Sequence, residues 1–159
     1  MSVVLDIAEA YRRPASVFRR RLGVAPREDR ALAILMAACL LVFVSAWPVM
    51  QRKAIETGEE FEMLIAGTLF VWLFLMPLLA YTLGTLSHGL ARLVGGRGSG
   101  YSARFALFWA LLVASPLWLL WGLTQGFVGP GVQEKLVGAV ALGAFLVHWS
   151  LNLWTAERP

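Results

Sequence analysis

The chain of 159 residues is 58% hydrophobic and only 15% charged, with a formal net charge of +4 and a single cysteine. Soluble domains carry about 25% charged residues, so this composition argues against a soluble globular fold. The length allows one domain, and the lone Cys39 excludes a disulfide framework or a cysteine-built metal site within the chain.

The missing charge is concentrated in long apolar runs, and the mean hydropathy is +0.67. That is the signature of an all-α, polytopic membrane protein with about four spans. The basic residues flank the runs, which favours membrane orientation and anionic headgroups over nucleic acid as the explanation of the charge.

Residues 1–25 form a basic arm ahead of the membrane. Val4, Ile7, Ala8 and Tyr11 recur at helical spacing with Asp6, Glu9 and Arg12 off that stripe, which predicts a short amphipathic helix. Pro14 interrupts it, since proline lacks the N–H and clashes with the preceding turn. A second short helix over Ala15–Leu22 sets Val17, Phe18 and Leu22 beside Arg19, Arg20 and Arg21. The expected arrangement is interfacial, with the apolar side in lipid and the arginines among phosphates. Acidic residues and two prolines precede the first apolar run, so a secretory leader is not expected.

Four spans follow within residues 26–155, at about 31–47, 63–86, 105–123 and 136–154. The first starts from Pro26 with Glu28 and Asp29 in its opening turn, where negative charge suits the helix dipole. At 1.5 Å per residue the apolar run reaches only about 25 Å, short of the bilayer core of about 30 Å, so the helix is expected to borrow a few residues at its ends. Gln51–Glu62 reads as a solvated acidic loop whose glutamates lack calcium-loop spacing. Pro77 falls inside the second span and Pro116 inside the third, each expected to kink its helix. Gly-rich residues 95–103 make a turn between those spans, residues 124–132 make another, and 156–159 are a short tail. Small residues four apart (Ala33 and Ala37, Ala110 and Ala114, Ala139 and Gly143) suit close helix packing.

With both termini on one side, that side receives eleven arginines and the other receives Arg52, Lys53 and Lys135. The imbalance puts the termini and the glycine-rich loop in the cytoplasm. The excess of arginine over lysine and the alanine content point to a GC-rich bacterial source, hence to the bacterial inner membrane.

The predicted spans contain no Asp, Glu, Lys or Arg, whereas proton relays and ion pumps place such groups in the membrane. His88 and His148 fall short of the three or four ligands zinc takes. Ser87 and His88 are helix neighbours that do not face each other. Gly95–Gly100 resembles a phosphate cradle but lacks the lysine and the strand of a P-loop. No catalytic, cofactor or metal residues are therefore assigned. Arg19, Arg20, Arg21 and Arg97 are the expected contacts to lipid phosphate or a partner.

Three passages resemble the Yip (Ypt-interacting-protein) domain family of multi-span membrane proteins. One is Ile7-x-x-x-Tyr11-Arg12-Arg13-Pro14-x-x-x-Phe18. The second is His88-x-x-Ala91-Arg92-Leu93-Val94-Gly95-Gly96-Arg97-Gly98-Ser99, and the third is Pro116. The family usually shows five spans. The resemblance implies a non-enzymatic membrane adaptor with protein partners, with Pro14, Phe18, His88, Gly95 and Gly96 as its motif residues. The expectation is thus an inner-membrane scaffold that contacts partners or anionic lipids through its arm and loop and possesses no cofactor. The alternative is a small transporter or lipid-handling protein with a site near Pro77 and Pro116, where broken helices line substrate sites.

Overall fold

A computed structural model of the chain describes residues 2–158. It consists of α1 (Val3–Ala10), α2 (Pro14–Leu22), α3 (Glu28–Ser45), α4 (Trp47–Thr57), α5 (Phe61–Phe70), α6 (Met76–Leu93), α7 (Gly100–Leu123) and α8 (Val132–Glu157). Two π-helical turns, Val71–Leu75 and Thr124–Val128, extend α5 into α6 and lengthen α7. There is no strand among the described residues. Four stretches are long and apolar enough to cross a membrane: Glu28–Thr57, Phe61–Leu93, Gly100–Val128 and Val132–Glu157. The expected all-α bundle of four spans is therefore the architecture.

Each span is longer than its apolar run. The first continues past Trp47 through Ala46, which keeps helical dihedrals (φ −80°, ψ −12°), into α4. The expected acidic loop is thus helix as far as Thr57. Pro48 stands at the start of α4, where its missing N–H costs little, and Arg52 pairs with Glu56 at 2.8 Å. Gly58, in the left-handed region at φ 72°, ends the helix. Thirty residues make about 45 Å, so the first span is not short. Hydropathy stops at Trp47; backbone hydrogen bonding does not.

The two prolines are accommodated differently. Ahead of Pro77 the helix widens into the π turn Val71–Leu75, a known way of absorbing a kink. Pro116 deprives the Leu112 carbonyl of its helical donor, and the Ser115 hydroxyl donates to that carbonyl at 2.7 Å. The third span starts five residues before its apolar run because Ser99 and Ser102 form a reciprocal capping box. The loop before it is correspondingly short, Val94–Ser99.

α7 is the axis. The share of each span buried inside the bundle is 39%, 6%, 56% and 17% in chain order, so the third is central and the second peripheral. The core joins Leu35, Ala38 and Cys39 of α3, Ala80 of α6, and Phe105, Phe108, Trp109 and Val113 of α7. Close approach of α3 and α7 depends on Gly122, where an added Cβ would lie 2.6 Å from the Ser45 carbonyl carbon. Of the small-residue pairs, Ala110 and Ala114 are fully buried. Ala33, Ala37 and Ala139 are exposed, and nothing lies within 4 Å of Gly143.

The arm also packs on the bundle. α1 and α2 form a hairpin packed on α7 and α8. The buried face of α1 is Asp6 and Ala10, while Val4 and Ala8 of the expected apolar stripe are exposed. In α2, Val17 and Phe18 are fully buried, with Phe18 6.0 Å from the Phe105 ring. The driving force is burial of these two side chains, about 1.5–3 kcal/mol each.

Candidate functional site

α3 and α7 begin, and α6 and α8 end, at the same end of the bundle. Two contacts establish this: Arg104 pairs with Glu28, and His88 Nδ1 lies 2.7 Å from Glu157 Oε1. This basic end gathers the expected contact residues Arg19, Arg20, Arg21 and Arg97 and the motif residues Pro14, Phe18, His88, Gly95 and Gly96, and not Pro77 or Pro116.

One part of the site is where the arm meets the bundle. Asp6 is 1% exposed and accepts from Arg20 at 2.7 Å and from Arg21. Arg20 also reaches Glu9 at 2.7 Å. Burial alone raises the Asp6 carboxyl; the hydrogen bonds and charges of Arg21 and Arg20 outweigh it and hold the carboxyl below its ordinary range. Arg21 in turn sits 5.6 Å over the Trp109 ring, a cation–π contact. Trp109 is nine residues past the start of α7 at Gly100, about 14 Å into the helix. The predicted spans hold no ionic residue, yet the arm brings a paired carboxylate and two guanidiniums against the flank of one.

Higher up, the Tyr11 hydroxyl donates to the Val113 carbonyl at 2.8 Å. Its ring meets the His148 ring edge-on at 5.0 Å. Burial raises the Tyr11 phenol, which keeps it a donor near neutral pH. His148 and Asn152, four apart on α8, are both buried. Neither the His148 Nδ1 nor the Asn152 amide has a hydrogen-bond partner among the described residues.

The second part is the glycine-rich loop. Its cradle is filled by the chain's own carboxylate: the Gly98 N–H donates to Glu157 Oε2 at 3.0 Å, and the Arg97 N–H donates to the Glu157 carbonyl at 2.9 Å. Glycine is needed for this approach. A Cβ on Gly96 would come within 2.6 Å of Glu157 Oε2, and one on Gly98 within 3.0 Å of the Ala156 carbonyl carbon. Gly95 supplies the turn with φ 88°. The loop is therefore a clamp on the end of α8, and Glu157, expected in a tail, is 5% exposed at its centre.

Beside the clamp a groove of about 530 Å³ opens between the ends of α6 and α8. Leu90, Val94, Leu153 and Trp154 give it apolar walls, and Ser87, Ser150, Glu157 and Arg158 are its polar lining. The Arg158 guanidinium stacks 3.4 Å over the Trp154 ring. A smaller cavity lies at the far end, among Pro48, Arg52, Gly126 and Phe127.

Of the four arginines expected at lipid phosphate, Arg20 and Arg21 are engaged by acids of the arm, whereas Arg19 and Arg97 are exposed. His88 and His148 are not brought together: one belongs to the loop clamp and the other faces Tyr11. Pro14, Phe18, His88, Gly95 and Gly96, which carry the family resemblance, all lie where arm or loop meets the bundle. Sequence reasoning missed Asp6 and Glu157. The available signal was an acid inside an apolar stretch, followed by Arg20 and Arg21, and a second acid directly after an apolar run. Comparison of the chain with protein-family models, with curated proteins and with solved structures finds no match in any of the three.

Proposed function

We propose that the protein is a non-enzymatic scaffold of the bacterial inner membrane, of the Yip-like type, which presents a rigid basic face to the cytoplasmic leaflet and to a protein partner. The supporting observation is the charge pairing at the basic end. All five acids there have a partner: Asp6 and Glu9 pair with Arg20 and Arg21, Glu28 with Arg104 and Asp29 with Arg27, and Glu157 is hydrogen-bonded by the His88 ring and the Gly98 N–H. Arg12, Arg13, Arg19, Arg92 and Arg97 are exposed and have no carboxylate partner among the described residues. Unmatched arginines beside apolar spans suit anionic lipid, at about 1 kcal/mol per basic residue near the surface. The arm and loop are fastened to the bundle, so the face they form is fixed.

The test has two arms. Purification from native membranes in a mild detergent, followed by mass spectrometry, should yield a stoichiometric protein partner that is lost when Arg12, Arg13 and Arg19 are replaced by Gln. Recovery of the chain with no partner would remove the scaffold reading. A reporter fused after Glu60 should read as periplasmic; a cytoplasmic signal would overturn the orientation.

A further inference from the structure

We infer that the groove between α6 and α8 is a binding site for a single anionic glycerophospholipid, with an acyl chain along its apolar wall and the phosphate at Arg158. The inference rests on the reading that the basic end faces an anionic leaflet, and it goes beyond that reading by naming one lipid at one site.

Three features of the groove point to this occupant. The first is depth. The groove follows α8 from Trp149 to Arg158 and α6 from Ser87 to Val94, about 14 Å of helix measured from the end of the spans. That stretch covers the headgroup, the glycerol and the first part of an acyl chain in the adjoining leaflet. The second is chemistry. Leu90, Val94, Leu153 and Trp154 are apolar wall, Ser87 and Ser150 are the small polar groups towards the spans, and the charged Arg158 lies at the chain-end side. Apolar length below and a charged end above is the polarity of a phospholipid. The third is charge. Arg158 is held by its stack on Trp154, and Arg92 and Arg97, in the last turn of α6 and in the loop after it, are exposed. An aromatic ring with a guanidinium on its face is suited to the interface, the ring at glycerol depth and the cation at the phosphate.

Glu157 also lines the groove and would repel an anion were its charge free. Its two oxygens are committed elsewhere, Oε1 to His88 and Oε2 to the Gly98 N–H. The loop clamp therefore holds that carboxylate nearly buried, 5% exposed, while Arg158 is exposed to a phosphate. The volume of about 530 Å³ lies within the roughly 300–1,000 Å³ of small-molecule sites. It suits one chain and a glycerol, with the second chain in the bilayer.

The experiment is native mass spectrometry of the full chain in mild detergent, titrated with phosphatidylglycerol or with phosphatidylcholine. One phosphatidylglycerol should bind with clear preference over phosphatidylcholine. Arg158→Gln should weaken phosphatidylglycerol binding about fivefold, the loss of one basic contact, and leave phosphatidylcholine unchanged. Ser150→Phe, which adds bulk to an exposed groove position, should weaken both lipids. Replacing Arg12, Arg13 and Arg19 by Gln should leave the single bound lipid in place; its loss there would assign the lipid to the arm and overturn the groove. Equal binding of the two lipids, or phosphatidylglycerol binding unaltered by both Arg158→Gln and Ser150→Phe, would overturn it as well. Partner capture in the scaffold test is a separate readout, so failure of one reading does not hide failure of the other.

Discussion

The hydroxyl of Tyr11 donates to the carbonyl of Val113 across 102 residues of sequence, at 2.8 Å. Val113 stands three residues before Pro116 and next to the carbonyl that Ser115 repairs, where a proline weakens the regular bonding of the helix. The arm thus supplies a donor to the weakest part of the central span. Tyr11→Phe keeps the ring against His148 and removes only the bond, worth about 1 kcal/mol. Cleavage by trypsin at the Arg12–Arg13 bond should rise about fivefold. An unchanged rate would mean that the hydroxyl contributes nothing to docking.

Asp6 makes the arm pH-sensitive in a definite direction. Its folded pKa is depressed, so its contribution is complete above the ordinary carboxylate value of about 4 and is lost as the pH falls through the lower folded value. Protection of the α2 amides, the exchange rate relative to the intrinsic rate at the same pH, should therefore be high at pH 6 and fall as the pH drops below the ordinary carboxylate value. Asp6→Asn should show low protection throughout, with a cost of about 2 kcal/mol at pH 6, because the buried amide no longer answers two guanidiniums. Protection that does not change with pH in the unmutated chain would contradict this assignment.

The glycines of α6 and of the loop that follows should respond in opposite ways to the same change. Gly98→Ala drives a Cβ against the backbone of Ala156 and the carboxylate of Glu157 and should cost about 2 kcal/mol as overpacking. Gly89→Ala meets nothing within 4 Å in an α-helix and should stabilise by about 0.5–1 kcal/mol. Thermal unfolding in detergent reads both. Equal effects would show that the loop does not clamp α8.

Asn152 offers a test of whether its buried amide is structural. It is 1% exposed with neither amide atom partnered among the described residues. Asn152→Leu replaces it with a side chain of similar size and no polar atoms. The melting temperature should rise, by an amount corresponding to about 1–2 kcal/mol. A fall would mean that the amide is satisfied in the native protein, by water or by a bound group.

Hydropathy and charge were sufficient for the all-α class and for four spans, because the bilayer imposes length and apolarity locally, residue by residue. They misplaced the ends: the Ser99–Ser102 cap, the Pro48 start of α4 and the helix up to Glu157 are set by hydrogen bonds that hydropathy does not register. The periodicity of residues 4–11 predicted the helix and a stripe turned to lipid but not the face that docks on the bundle, since a buried Asp6 is stable only with Arg20 and Arg21 folded back onto it. The contacts of Tyr11 and Glu157 were decided by the tertiary structure alone. Each acts through a partner far away in sequence, a relationship that local spacing does not encode.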